Sequence, residues 1–158
     1  MTWRAYGSWL PGDERGWKKK GECEWQSPDL LFQEMAESAM SESAFRLDRK
    51  DRSIVEATVQ RHCSIRHWDL HAVDARTNHV HIVLTAPSYK PETVRNQLKA
   101  WCTRKLKAIH PTRKNFWAEG GSRRWLNTRE DLDKAIKYVN DAQDRKGKEE
   151  IQTRRASE

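Results

Sequence analysis

Apolar residues recur along the chain with two different periods, and the change of period separates helices from strands. After Asp48, a helix-capping residue type, apolar positions repeat every three or four residues to about His67, which predicts a long helix. Its stripe consists of Ile54, Val55, Val59, His62 and Ile65. From Trp68 to Ala75 and from Val80 to Leu84 the apolar positions alternate instead, which predicts two strands joined by a polar hairpin connection.

Three further segments have the helical period. Pro91 begins a helix whose stripe ends at Pro111, and Thr128, with Asp131 three residues later, caps a last helix. The two stripes are Val94, Leu98, Trp101, Cys102, Leu106 and Ile109, then Leu132, Ala135, Ile136, Val139 and Ala142. Residues 27–44 predict a peripheral helical segment in which Ser27 is the cap and Pro28 lies in the first turn.

The order of these elements predicts an α+β fold. A weakly alternating strand at residues 2–6 precedes the helices, so we expect a ferredoxin-like antiparallel sheet with helices packed on one face. Its fourth strand would lie near Phe116-Trp117 or Trp125-Leu126. We expect a single domain at residues 1–143, followed by a charged, disordered tail at 144–158.

Composition excludes several classes of protein. Of the 158 residues 36% are hydrophobic, and no run approaches the roughly 20 apolar residues of a membrane span. The first four residues lack the apolar run of a signal peptide, so a cytoplasmic protein is expected. Three cysteines without C-x-x-C spacing argue against a disulfide framework and a zinc knuckle, and favour reduced, inert thiols.

The surplus charge of +7 can be placed in one window. Residues 99–124 contain eight basic residues and one acid, interleaved with aromatic residues, whereas 27–44 contain four acids and no base. Basic residues mixed with aromatic rings suit single-stranded nucleic acid, because they can bind its phosphates and stack on its unpaired nucleobases. A solvated helix with buried tryptophans has the same composition. The candidate DNA-binding residues are Lys99, Arg104, Lys105, Arg123 and Arg124.

The strand at Val80–Leu84 presents a candidate metal site. Alternate side chains of a strand point to opposite faces, so His79 and His81 share one face while Val80 and Ile82 point to the core. Their backbone attachments lie about 6.6 Å apart, from which two imidazoles can reach one cation. A pair of hydrogen-bonded surface histidines has the same pattern.

Tyr138 is the best candidate for a tyrosine nucleophile. Of the three tyrosines, Tyr6 lies in the weak first strand and Tyr89 in a loop, whereas Tyr138 lies on a helix at the border of its apolar face. A packing tyrosine with its hydroxyl in water would have the same position. A phenol, whose ordinary pKa is about 10, is a poor nucleophile toward an anionic phosphodiester, and a cation can withdraw the opposing charge.

Five segments in this order resemble the REP-associated tyrosine transposases, which are single-tyrosine HUH transposases of the IS200-like superfamily. The resemblance covers most of residues 2–143. The segments are Tyr6-Gly7-Ser8-Trp9-Leu10-Pro11-Gly12-Asp13-Glu14-Arg15-Gly16, Asn78-His79-Val80-His81-Ile82-Val83, Leu98-Lys99-Ala100-Trp101-Cys102-Thr103-Arg104-Lys105-Leu106, Trp117-Ala118-Glu119-Gly120-Gly121-Ser122, and Tyr138-Val139 with Gln143 downstream.

The resemblance implies DNA transposition by cutting and rejoining single-stranded DNA beside a hairpin. It implies a homodimer, a nucleoid-associated location, and a divalent cation, Mg²⁺ or Mn²⁺, held by His79 and His81. Tyr138 would form a 5′-phosphotyrosine intermediate. Gln143 is the implied third ligand, but it follows the tyrosine by five residues rather than the four common in the family, so Asn140 and Asp141 remain alternatives.

Two other functions stay open on the sequence. The same basic sheet could belong to a catalytically silent regulator that binds hairpin DNA or RNA. The histidine pair could also belong to a metallo-hydrolase that activates water, although Ile82-Val83-Leu84 supplies none of the additional ligands typical of such sites.

Overall fold

The computed structural model describes residues 1–19 and 24–141. The element order is β1 (Thr2–Arg4), α1 (Leu30–Ser38), α2 (Arg49–Arg66), β2 (Asp69–Ala75), β3 (His79–Thr85) and α3 (Pro91–Lys107). A last helix, α4, occupies residues 129–141 of the described part. The predicted tail at 144–158 lies outside the described residues.

Strand β3 lies at the centre of the sheet, antiparallel to β1 on one side and to β2 on the other. Residues 116–122, here called the edge segment, run along the free side of β1. Backbone hydrogen bonds join Tyr6 N to Phe116 O at 3.0 Å and Ser122 N to Thr2 O at 2.8 Å. The order edge segment, β1, β3, β2 and the chain sequence of these elements are those of a ferredoxin-like sheet, so the predicted α+β fold is confirmed.

The two faces of the sheet carry different helices. Helices α2 and α3 cover one face, where Val80 and Ile82 of β3 join a large core with their apolar residues. Helix α4 lies against the opposite face, where Val139 packs on Ala72 and Val83. The expectation that the helices share one face therefore describes α2 and α3, whereas α4 binds the small apolar patch beside the histidines.

Local capping chemistry determines where the helices begin. Asp48 caps α2 through a reciprocal capping box with Asp51, and Thr128 accepts a hydrogen bond from Asp131 N at 3.1 Å, both as predicted. The predicted cap at Ser27 is wrong, because the carboxylate of Asp29 accepts from Phe32 N and α1 begins two residues later than Pro28.

Two residues assigned to buried stripes are exposed. Ile65 is 62% exposed and Trp101 is 41% exposed, because each lies at the border of its helix's buried face. The cysteines described by the structure are consistent with inert thiols. Burial raises the pKa of Cys63 to about 11 and that of Cys102 to about 12, so both stay protonated at neutral pH.

The edge segment needs glycine where it approaches β1. Gly121 has φ 147°, and a Cβ atom there would lie 2.6 Å from the carbonyl oxygen of Thr2. Side chains of α3 hold the segment from the other side: Arg95 donates to Gly121 O at 3.0 Å and Lys99 to Ala118 O at 2.7 Å. Gly121 thus permits the edge segment to pair closely with β1.

Packing of α3 on the sheet gives a stability prediction. Leu98 is fully buried in the large core, so we expect Leu98→Ala to lower the free energy of unfolding by about 2–5 kcal/mol. The control Ile65→Ala, at an exposed helical position, should change it by about 0.5 kcal/mol or less. Urea denaturation followed by circular dichroism measures both values, and equal losses would contradict the packing described here.

Candidate active site

His79 and His81 lie side by side on the face of β3 that α4 covers. Their ring centroids are 4.6 Å apart and the ring planes are nearly perpendicular, at 87°. Both side chains are half-buried. The alternation of β3 therefore places the two imidazoles together, as the sequence predicted.

A hydrogen bond at Nδ1 orients each imidazole. Thr2 Oγ1 lies 2.8 Å from His81 Nδ1, and Asn78 Oδ1 lies 2.6 Å from His79 Nδ1. Because a carbonyl oxygen only accepts, His79 donates from Nδ1, and in the neutral form of this imidazole the lone pair lies on Nε2. Nδ1 hydrogen bonds of this kind orient metal-ligating histidines.

The surroundings of His81 favour the neutral imidazole. Burial lowers the pKa of His81, the positive charge of Arg76 lowers it further, and the carboxylate of Asp74 acts in the opposite direction. Asp74 lies across from His81 on β2, buried, and accepts from Arg76 Nε at 2.7 Å. A neutral imidazole is the form that binds a metal ion.

Helix α4 brings Tyr138 to this pair. Its ring is edge-on to His81 at a centroid separation of 5.9 Å and is 63% exposed, while the neighbouring Val139 is 4% exposed and anchors the helix to the sheet. The structure thus assembles both imidazoles and the phenol within one chain.

The third ligand of the candidate metal site has three predicted candidates, Gln143, Asn140 and Asp141. Gln143 lies outside the described residues, and Asn140 and Asp141 are exposed on α4. Across residues 1–19 and 24–141 no group of three or more His, Cys, Asp or Glu side chains is arranged to hold a metal, and the third ligand stays a prediction. His71, which the β2 bulge displaces from the regular pairing, bonds Thr85 Oγ1 at 2.9 Å.

A cleft of about 920 Å³ opens beside the histidine pair. His81 and Tyr138 lie on its walls, and the connection between the edge segment and α4 supplies Arg123, Arg124 and Trp125. Trp125 is 67% exposed. The cleft combines cations and an aromatic surface with the candidate catalytic groups.

The predicted DNA-binding residues are divided between two regions. Arg123 and Arg124 line the cleft, and Arg123 also forms an ion pair with Glu92. Arg104 and Lys105 are exposed on α3, which packs on the face away from the histidines. Lys99 is half-buried and donates to Ala118 O and Gly120 O, so its ammonium group binds the edge segment.

Three further residues contribute to this face and were not predicted from the sequence: Thr2, Asn78 and Arg4. Asn78 could have been found, because an amide next to a candidate ligand is a common hydrogen-bond partner. Thr2 and Arg4 pair with His81 and His79 only through the register of β1 with β3, which no local pattern shows. Arg4 lies with its guanidinium carbon 3.4 Å from the ring centroid of Trp9.

An antiparallel sheet that presents two imidazoles and a phenol beside a basic cleft has the components of a phosphoryl-transfer site on nucleic acid. The model of the family described as Transposase IS200 like matches residues 40–142, about two thirds of the chain, and the chain belongs to this family. Membership indicates DNA binding and a transposase-type function in DNA processing, and it suggests an enzyme that cleaves and rejoins DNA.

Comparisons with curated proteins and with solved structures gave no significant match. In the part of the chain that the structure describes, every helix is too short or too polar to cross a membrane.

The charges around His81 give a titration prediction. In the metal-free protein we expect its pKa to lie below the ordinary 6.5. Arg76→Gln should raise it, because a positive charge that lowers it is removed while the Asp74 carboxylate, which raises it, remains. Nuclear magnetic resonance of the imidazole Cε1–H signal, with EDTA present, measures the change. Arg61→Gln, at an exposed position on α2, is the control. An unchanged or lowered His81 pKa in Arg76→Gln would contradict this account.

Proposed function

We propose that the protein is a metal-dependent single-strand DNA endonuclease and strand transferase of the REP-associated, single-tyrosine type. It acts at hairpin DNA through a 5′-phosphotyrosine intermediate. The observation that carries the proposal is the 5.9 Å ring separation between Tyr138 and His81, which brings a nucleophile to a candidate metal site. Family membership supports the DNA-processing class to which this activity belongs.

Tyr138 performs the covalent step. Its Oη attacks the scissile phosphorus and loses its proton, the new O–P bond forms, and the bond from phosphorus to the 3′ oxygen breaks. The leaving strand takes up a proton and ends in a 3′-hydroxyl. The 3′-hydroxyl of another strand can then attack the phosphotyrosine and release Tyr138, so rejoining needs no nucleotide hydrolysis.

His79 and His81 would hold the divalent cation, Mg²⁺ or Mn²⁺. The donor set fits, because the hydrogen bond at His79 Nδ1 places the lone pair of a neutral imidazole on Nε2, a nitrogen that binds metal ions, and the environment of His81 favours its neutral form. When bound, the cation withdraws charge from the phosphate and stabilises the transition state. Since Mg²⁺ prefers oxygen ligands, the amide oxygen of Gln143 or Asn140, or the carboxylate of Asp141, would complete the set.

The cleft would receive the single strand next to the scissile phosphate. Arg124 supplies positive charge there, and the exposed ring of Trp125 offers a surface on which an unpaired base can stack. We further propose that the active form is a homodimer, as the resemblance implies. Light scattering coupled to size-exclusion chromatography tests this state.

The nucleophile is tested by substitution. We expect Tyr138→Phe to abolish the covalent adduct between the protein and labelled hairpin DNA with single-stranded flanks, because the attacking oxygen is removed. Hairpin affinity should change less than about twofold. Tyr6→Phe removes a phenolic oxygen that bonds Ser41, away from the cleft, and is the matched control. Denaturing electrophoresis after incubation with Mn²⁺ detects the adduct as a shifted protein band.

Two outcomes of this assay would overturn the proposal. Binding without any adduct or cleavage by the unsubstituted protein would indicate the silent regulator. Cleaved DNA with a free 5′-phosphate and no attached protein would indicate a metallo-hydrolase.

Metal binding is tested separately from catalysis. We expect His79→Ala and His81→Ala each to weaken Mn²⁺ binding at least about tenfold, because each removes a proposed ligand. His71→Ala is the control, since that imidazole bonds Thr85. Calorimetric titration of the EDTA-treated protein with Mn²⁺ measures affinity, and equal affinities in all variants would exclude the histidine pair as the site.

A further inference from the structure

Strand β1 contributes a cation to the histidine face. Trp3 is fully buried in the large core, so its neighbours Thr2 and Arg4 point to the other side of the sheet. The hydrogen bond between Thr2 and His81 confirms that side, and Arg4 lies directly opposite His79 in the strand register. Directly opposed residues have Cβ atoms about 5 Å apart.

Trp9 holds the guanidinium of Arg4. The guanidinium carbon lies 3.4 Å from the centroid of the indole ring. Trp9 is itself fixed, because its Nε1–H donates to Gly16 O at 2.8 Å and its ring packs against Trp25 at 5.8 Å. Stacking on an indole face restricts the guanidinium while its N–H groups, which lie in its plane, stay available to an acceptor.

Asp13, the acid whose charge acts on Arg4, is already bound to another arginine. Asp13 accepts from Arg15 Nε at 2.7 Å and from Arg15 Nη2 at 2.6 Å. Among residues 1–19 and 24–141, the guanidinium of Arg4 donates no hydrogen bond and forms no ion pair. Burial lowers the pKa of Arg4, the positive charge of Arg15 lowers it further, and the carboxylate of Asp13 acts in the opposite direction. Arg4 is therefore a partly desolvated cation beside a carboxylate whose hydrogen bonds go to Arg15.

We propose that Arg4, stacked on Trp9, binds a backbone phosphate of the single DNA strand next to the histidine pair. The inference rests on the proposed function of that face, and it adds a phosphate-binding residue from outside the family-matched residues 40–142. A phosphodiester supplies the anionic oxygen that the guanidinium lacks, and planar guanidinium groups bind phosphate through paired N–H donors. The edge of an unpaired base is the competing occupant.

Affinity and its salt dependence test the charge. We use Tyr138→Phe as the parent, so that binding is measured without cleavage, and hairpin DNA with single-stranded flanks as the probe. Arg4→Gln should raise Kd about tenfold and reduce the slope of log K against log salt by about 0.7, the value for one phosphate contact on a single strand. Arg61→Gln, an exposed charge on α2, should change Kd less than about twofold and leave the slope unchanged.

Scanning the flank with single methylphosphonates identifies the contacted position. In the parent, removal of one phosphate charge near the scissile position should weaken binding, and this penalty should vanish in Arg4→Gln while the penalties at other positions remain. Trp9→Leu should reduce the same penalty, whereas Trp9→Phe, which keeps an aromatic face, should preserve most of it. Arg4→Lys, which keeps the charge without the planar pair of donors, should retain the salt slope and lose part of the affinity.

The outcomes separate this inference from the proposed function. An unchanged slope and methylphosphonate profile in folded Arg4→Gln, judged by its thermal unfolding, overturns the role of Arg4 even where Tyr138 forms its adduct. A penalty that follows base identity instead of phosphate charge also overturns it. If the protein with Tyr138 intact forms no adduct while the Arg4-dependent methylphosphonate penalty is still measured in the Tyr138→Phe parent, only the catalytic proposal is rejected.

Discussion

The pairing of β3 on both sides is the constraint on which the rest of the structure depends. With β1 and β2 bonded to its two edges, β3 cannot rotate, and its alternate side chains are committed to opposite faces. Val80 and Ile82 close the core beneath α2 and α3, which forces His79 and His81 to the other side. A shift by one residue would bury both imidazoles and expose the apolar residues, so core stability and site geometry depend on the same register.

On the opposite face, apolar packing holds α4 next to the imidazoles. Ala72 and Val83 supply a small apolar patch, and Val139 packs on it. One residue before that anchor, Tyr138 projects from α4 toward the cleft with most of its surface exposed. Apolar packing therefore positions a polar group that must itself remain accessible to a substrate. The imidazoles are fixed differently, through hydrogen bonds with Thr2 and Asn78.

Where the positive charges lie matters more than the net charge of +7. Lys99 donates a hydrogen bond to the edge segment, and Arg123 forms an ion pair with Glu92. Arg4 lies far in sequence from the basic window at residues 99–124. It lies on the histidine face of the sheet, and its guanidinium stacks on the ring of Trp9. The local density of basic residues in the sequence is therefore a poor measure of the electrostatics at the histidine pair.

Local chemistry in the sequence determined most helices, both strands of the hairpin, the caps at Asp48 and Thr128, and the common face of His79 and His81. These features depend on periodicity and on neighbours within a few residues. Only the tertiary structure decided that α4 covers that face, that residues 116–122 rather than Trp125-Leu126 pair with β1, and that Thr2 and Arg4 lie on the imidazole face. Each of these depends on pairing or packing between segments far apart in the chain, and the register of β1 with β3 has no signature in a segment of three residues.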